Sequence, residues 1–283
     1  MDETRITVIC ENRASGAMGI TGEHGFAALI ERGDRKILVD TGQGMTLKSN
    51  AQVLGIDLKK VDTVVLSHGH FDHTGGLPQV LFPPRGLRVI AHPDVFDKKY
   101  AEAKTPLGTT RAFIGIKFQR EFLETTLGAC FDFQTEYSEI APGVFFSGQV
   151  PRTTDFEHPD THLLVKEGEG FIVDPLLDDI SLLIETAKGP VIVTGCAHAG
   201  IVNVMNHFKQ QSGHDTFHAV IGGTHLGFMG LGEQLDKSLD AFDQLKLDLI
   251  AVSHCTGNEP AAICYNRFKD RFAFANAGWS AVF

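Results

Sequence analysis

The sequence predicts a mixed α/β fold, and three features carry that expectation. The N-terminal third reads as short strands, and a nearly continuous β-branched run from Val61 to Leu66 leads directly into a dense histidine cluster. After Asp160 the pattern alternates between strand and helix.

Taken in order, Arg5 to Cys10, Phe26 to Glu31 and Lys36 to Val39 have strand character, and Gly33-Asp34 turns the last two into a hairpin. Met45 to Leu54 has helical spacing, whereas Val61 to Leu66 reads as a buried strand. From about residue 105 to 137 the chain is rich in Phe without a clear period, which suggests an insertion or cap over the site. Strands return at His162 to Lys166, Gly170 to Val173 and Ser181 to Thr186. A βαβαβ unit follows: strand Val191 to Thr194, helix Ile201 to Gln211, strand His218 to Ile221, helix Gly232 to Leu245, strand Leu249 to Val252. No Pro/Gly/Ser linker or internal repeat divides the chain, so residues 1–283 are expected to form a single domain.

Composition narrows the function classes. A formal net charge of −10 argues against a nucleic-acid partner, because phosphate-backbone binders need clustered Lys and Arg. Apolar runs break within about ten residues, short of the roughly 20 that a membrane-spanning helix needs, and Met1 to Cys10 has no secretory pattern. The five cysteines, Cys10, Cys130, Cys196, Cys255 and Cys264, are odd in number and include no CxxC pair, which fits a reducing compartment. A soluble, cytoplasmic protein with a small-molecule substrate is therefore expected. Oligomeric state leaves no mark on the sequence.

The chemistry is concentrated in Ser67-His68-Gly69-His70-Phe71-Asp72-His73-Thr74-Gly75-Gly76. Three imidazoles and a carboxylate within six residues are too dense for packing, and helix capping explains at most one of them. A strand-to-helix turn can direct His68 and His70 at one metal ion, and Asp72 and His73 at a second. Asp72 is also the candidate to orient the attacking water.

The HxHxDH pattern followed by Thr-Gly-Gly resembles the signature of the metallo-β-lactamase superfamily, and Ile37-Leu38-Val39-Asp40-Thr41-Gly42 resembles that family's early strand ending in Asp. The resemblance covers the whole chain and implies a four-layer αββα sandwich with the metal site at one edge of its two sheets. It also implies that Asp40 supports the metal loop. The segments Gly22-Glu23-His24-Gly25, Gly195-Cys196-Ala197-His198-Ala199-Gly200, Gly222-Gly223-Thr224-His225-Leu226 and His254-Cys255-Thr256-Gly257 are similar to one subfamily. That subfamily carries the label of a dihydropterin-ribofuranosylaminobenzene phosphate synthase relative.

Three further histidines, His198, His225 and His254, each follow a predicted strand. Ligand groups gather at the carboxyl ends of strands in α/β sheets, so His198 and His254 are expected as metal ligands. His225 is assigned a catalytic, substrate-facing role toward an anionic group. Many superfamily members carry a bridging Asp after a Gly, but here Cys196 follows Gly195, so whether Cys196, His162 or His225 completes the site stays open. His24 is expected to line the pocket, whereas His92, His158, His207, His214 and His218 are read as solvated or structural.

The expected activity is hydrolysis of a small ester, lactone, thioester or phosphoester by water that two divalent metal ions acidify. Zinc is favoured by the histidine-rich donor set, with iron or manganese acceptable where carboxylates share the site. A pterin-linked synthase and a di-iron oxidoreductase are the alternative readings.

Overall fold

Strand β1 (Thr4–Cys10) buries six of its seven side chains, a pattern that requires cover on both faces of its sheet. The computed structural model, which describes residues 3–16, 18–106 and 108–283, supplies that cover. After β1 come β2 (Ala27–Arg32), β3 (Arg35–Val39), helix α1 (Leu47–Val53) and β4 (Thr63–Val65). Short helices α2 (Phe71–Thr74) and α3 (Leu77–Leu81) precede β5 (Leu87–Ala91), hairpin β6 (Lys99–Thr105) with β7 (Gly108–Phe113), and β8 (Ala129–Phe133). The second half begins with β9 (Ser138–Ala141), β10 (Val144–Phe146), β11 (Leu163–Glu167), β12 (Gly170–Val173) and β13 (Ser181–Ile184). It continues through β14 (Val191–Thr194), α4 (Ile201–Ser212), β15 (Ala219–Gly223), α5 (Glu233–Gln244), β16 (Leu249–Ser253), α6 (Asn258–Phe268), β17 (Phe272–Phe274) and β18 (Ser280–Val282).

Two seven-stranded sheets form the centre, ordered β18-β1-β2-β3-β4-β5-β8 and β17-β16-β15-β14-β13-β10-β9. The two-residue period of a strand decides what each face meets. Ile6, Val8 and Val65 of the first sheet pack with Leu182, Val193 and Ile221 of the second. Their neighbours Ile9 and Val64 turn outward to Leu47 of α1 and Val80 of α3. Leu183, Ile192 and Val220 likewise turn outward to Phe208 of α4, Leu239 of α5 and Cys264 of α6. Helix, sheet, sheet and helix are the four layers of an αββα sandwich. The βαβαβ unit is parallel as expected, with β14 beside β15 and β15 beside β16, and α6 extends it to the parallel strand β17.

The segment at 105–137, expected as an insertion or cap, divides between two sheets. Its start belongs to the β6–β7 hairpin, which joins β11 and β12 in a separate four-stranded sheet. Its end, β8, runs parallel to β5 as an edge strand of the first sheet, held there as Leu123, Leu127 and Ala129 enter the helix-side core. What covers the site is the small sheet: Phe71 N donates to Ile114 O at 2.8 Å, docking the hairpin on the histidine loop. No helix among the described residues is long and apolar enough to cross a membrane.

Candidate metal centre

Five strand ends deliver the site. Asp40 follows β3, and the segment from His68 to His73 follows β4. Cys196 and His198 follow β14, His225 follows β15, and His254 follows β16. Asp40, Ala197, His225 and His254 all have positive φ, between 49° and 58°, a conformation that costs a non-glycine residue about 1–3 kcal/mol and that collects at functional sites. Close packing leaves no room for a side chain at Gly195, where a Cβ would stand 2.1 Å from Ser67 Oγ and 2.8 Å from Asp40 Oδ2.

The six residues expected as metal ligands come together in two sets. In the first, His68 Nε2 lies 2.9 Å from His70 Nδ1 and 3.3 Å from His198 Nε2. In the second, Asp72 Oδ2 lies 3.3 Å from His254 Nε2 and 3.8 Å from His73 Nε2. His73 Nε2 faces His254 Nε2 at 3.2 Å. All six side chains are buried.

The hydrogen bonds behind these rings fix their tautomers. His73 Nδ1 donates to Asp40 Oδ2 at 2.7 Å, and Asp40 also accepts from Ser67 N and Ser67 Oγ, each at 2.7 Å. Asn12 Oδ1 accepts from Gly25 N at 3.2 Å and from His254 Nδ1 at 2.8 Å. With each Nδ1 engaged, the Nε2 atoms of His73 and His254 are left facing each other, placed to share a proton or to hold a metal ion between them.

The charge balance agrees. Burial pushes the pKa values of His68 and His198 well down and that of His70 to about 3, so these rings are neutral and ready to ligate. Burial alone would lower His73 as well, but the Asp40 and Asp72 carboxylates outweigh it and hold it up at about 9. Asp72 is held well below the usual carboxylate range because His73, His24 and His254 outweigh the effect of its burial. A field this favourable to positive charge fits a divalent ion, and so does the imidazole-carboxylate donor set.

His225 Nε2 lies 3.4 Å from Asp160 Oδ2. Burial would lower its pKa, but the hydrogen bond to Asp160 and the neighbouring Cys255 overcome that and raise it to about 9. Its ring stacks on Phe228, with centroids 5.0 Å apart. Phe228, Phe71, Ile114 and Leu163 are among the walls of a pocket of about 170 Å³ whose floor includes His70, Asp72 and His198. His162, the other candidate, stands apart: its side chain is 75% exposed and its Nδ1 lies 3.1 Å from Asp160 Oδ1.

His24 does more than line the pocket, since its Nε2 lies 3.1 Å from Asp72 Oδ2. His92, His207, His214 and His218 engage Gln149, the Ser147 carbonyl, Glu185 and Asp248 in turn, away from the cluster. Sequence reasoning passed over the carboxylates beneath the metal loops. Asp178 accepts from Gly69 N at 2.8 Å and from Lys99 Nζ at 2.9 Å, while Lys99 also reaches Asp174 at 2.9 Å. Asp179 accepts from Ala199 N at 3.0 Å, and burial pushes its pKa up to about 7. The available signal was three Asp residues spaced between apolar strands at Asp174, Asp178 and Asp179.

Residues 20–254 match the family described as the Metallo-beta-lactamase superfamily. Over 98% of this chain and 96% of the other, the sequence is 32% identical to the 7,8-dihydropterin-6-methyl-4-(beta-D-ribofuranosyl)-aminobenzene-5'-phosphate synthase of Methanocaldococcus jannaschii. A second protein of that organism, described as uncharacterized, is 34% identical over 83% of this chain and 84% of its own. Among solved structures, Tm1679, a metal-dependent hydrolase of the beta-lactamase superfamily, matches with a TM-score of 0.81 and 28% identity over 98% of each chain. The family match, the full-length relative and the layered fold agree, and the chain belongs to the metallo-beta-lactamase superfamily.

Proposed function

We propose that the protein is a dinuclear metal-dependent enzyme that hydrolyses a small ester, lactone, thioester or phosphoester. The observation that carries this reading is the pair of converging donor sets, His68-His70-His198 and Asp72-His73-His254, each made of buried side chains. Zinc is the favoured ion, and when bound the two ions supply Lewis acidity and acidify water. Asp72, fixed by His24 and His254, stands at the pocket floor to orient the nucleophile. His225, kept protonated by Asp160, presents positive charge to an anionic part of the substrate. Phe71, Ile114, Leu163 and Phe228 exclude bulk water.

A second reading, a pterin-linked synthase, is supported by the full-length similarity to the dihydropterin-ribofuranosylaminobenzene phosphate synthase. The aromatic walls Phe71 and Phe228 suit a flat heterocycle as well as an apolar acyl group.

Purified protein loaded separately with zinc, iron and manganese tests both. It is offered ester, lactone, thioester and phosphodiester substrates, and in parallel a 6-substituted dihydropterin with ribofuranosylaminobenzene phosphate. Hydrolysis that vanishes in the His68→Ala, His70→Ala double variant supports the first reading. Formation of a joined pterin-arylamine product without ester turnover replaces it with the second.

A further inference from the structure

Cys196 occupies the middle of the candidate centre. Its Sγ is 3.3 Å from His73 Nε2. It also forms compact groups, with all donor atoms within 4.8 Å of one another, with His68 and His73, with His198 and His225, and with His254 and Cys255. One sulfur therefore has neighbours from both donor sets. Asp72 lacks that position: its close partners, His24, His73 and His254, include no member of the first set. The thiol is buried at 3% exposure, so its surroundings are candidate ligand side chains and not solvent.

We propose that Cys196 is a shared thiolate ligand that bridges the two metal ions, taking the place a carboxylate would otherwise fill. This rests on the dinuclear reading above. As the metal-sulfur bonds form, the Sγ–H bond breaks and its proton leaves to solvent, a loss that the two adjacent positive charges drive. Cys255, close by, has a different role. Its sulfur accepts from His225 N at 3.3 Å and donates to Cys196 O at 3.4 Å, so it ties together two ligand loops. A soft donor at the centre also selects zinc, cobalt or iron over manganese.

Cobalt(II) added to the metal-free protein reads the thiolate directly through sulfur-to-metal charge-transfer absorption. Wild type and Cys255→Ser are expected to show the band, whereas Cys196→Ser takes up cobalt without it. A band that persists in Cys196→Ser overturns the proposal. X-ray absorption at the zinc edge of the wild-type protein needs no variant to fold. A bridging thiolate gives a sulfur shell near about 2.3 Å with an average of about one sulfur per zinc. Two bound zinc ions with only nitrogen and oxygen neighbours, or with about half a sulfur per zinc, overturn the bridge and leave the dinuclear reading intact. A protein that takes up no metal overturns both.

Discussion

His73 and His254 point their Nε2 atoms at each other across 3.2 Å, although they lie on elements from opposite halves of the chain. Neither atom carries a proton in the metal-ready state, because Asp40 and Asn12 already accept the proton on the far side of each ring. The contact is a candidate seat for a cation, and it joins the two sheets at their common edge.

Asp40 sets the tautomer of His73, so Asp40→Ala is expected to weaken zinc binding by about 10–100-fold in competition with a chelator. The same change strands Ser67 N and leaves Ser67 Oγ with His68 Nδ1 as its near partner, so urea unfolding should register a loss of about 1–3 kcal/mol. Unchanged zinc affinity would show that the ring orientation does not depend on Asp40.

Removal of His70 is expected to empty one donor set and spare the other. Elemental analysis of His70→Ala should find about one zinc per chain where the parent holds about two. Full retention of both ions would remove His70 from the ligand set.

Lys99 neutralises two carboxylates in a nearly dry environment, with Asp174 and Asp178 each at 2.9 Å. Lys99→Met leaves them facing each other and should cost about 3–5 kcal/mol in urea melts. Because Asp178 also holds Gly69 N, metal affinity should fall with stability. A stable variant with normal metal binding would contradict the buttress.

The Asp160–His225 pair predicts a defined pH window in metal-free protein. His225 has its pKa raised from 6.5 to about 9, so its contribution is complete below pH 6.5 and lost as pH rises through 9. Asp160 is lowered from 3.8 to about 2, since burial is outweighed by the hydrogen bond and charge of His225 together with the hydrogen bonds from His162; its contribution is complete above pH 3.8 and lost as pH falls through 2. Asp160→Asn should therefore lower the melting temperature most between these limits, near pH 5, by a few degrees. A difference that stays constant from pH 5 to pH 10 contradicts the pairing.

Much of this was legible in the sequence for a physical reason. Strands such as Val191 to Thr194 and Leu249 to Val252 are buried on both faces and read as continuous apolar runs, and their helices carry a clear amphipathic period. The HxHxDH cluster was legible because its ligands are neighbours in the chain. Partners from distant segments were not: Asn12, Asp160 and Asp178 become relevant only when loops from both sheets meet. Strand β8 within residues 105–137 shows no clear period because it is an edge strand whose Phe131 and Phe133 stack on one face half in solvent, which blurs the apolar alternation.

Strand β18 lies against β1, with Val282 opposite Arg5 and Ser280 opposite Thr7. The first sheet thus waits for its outermost strand until synthesis has passed Ser280, and long-range closure of this kind is slow. Until then β1 offers a bare backbone edge to other nascent chains. Because His254 N donates to Glu11, just beyond β1, at 2.6 Å, the loop that carries His254 is tied to the same N-terminal strand, so the candidate ligand set assembles only when segments 243 positions apart have met.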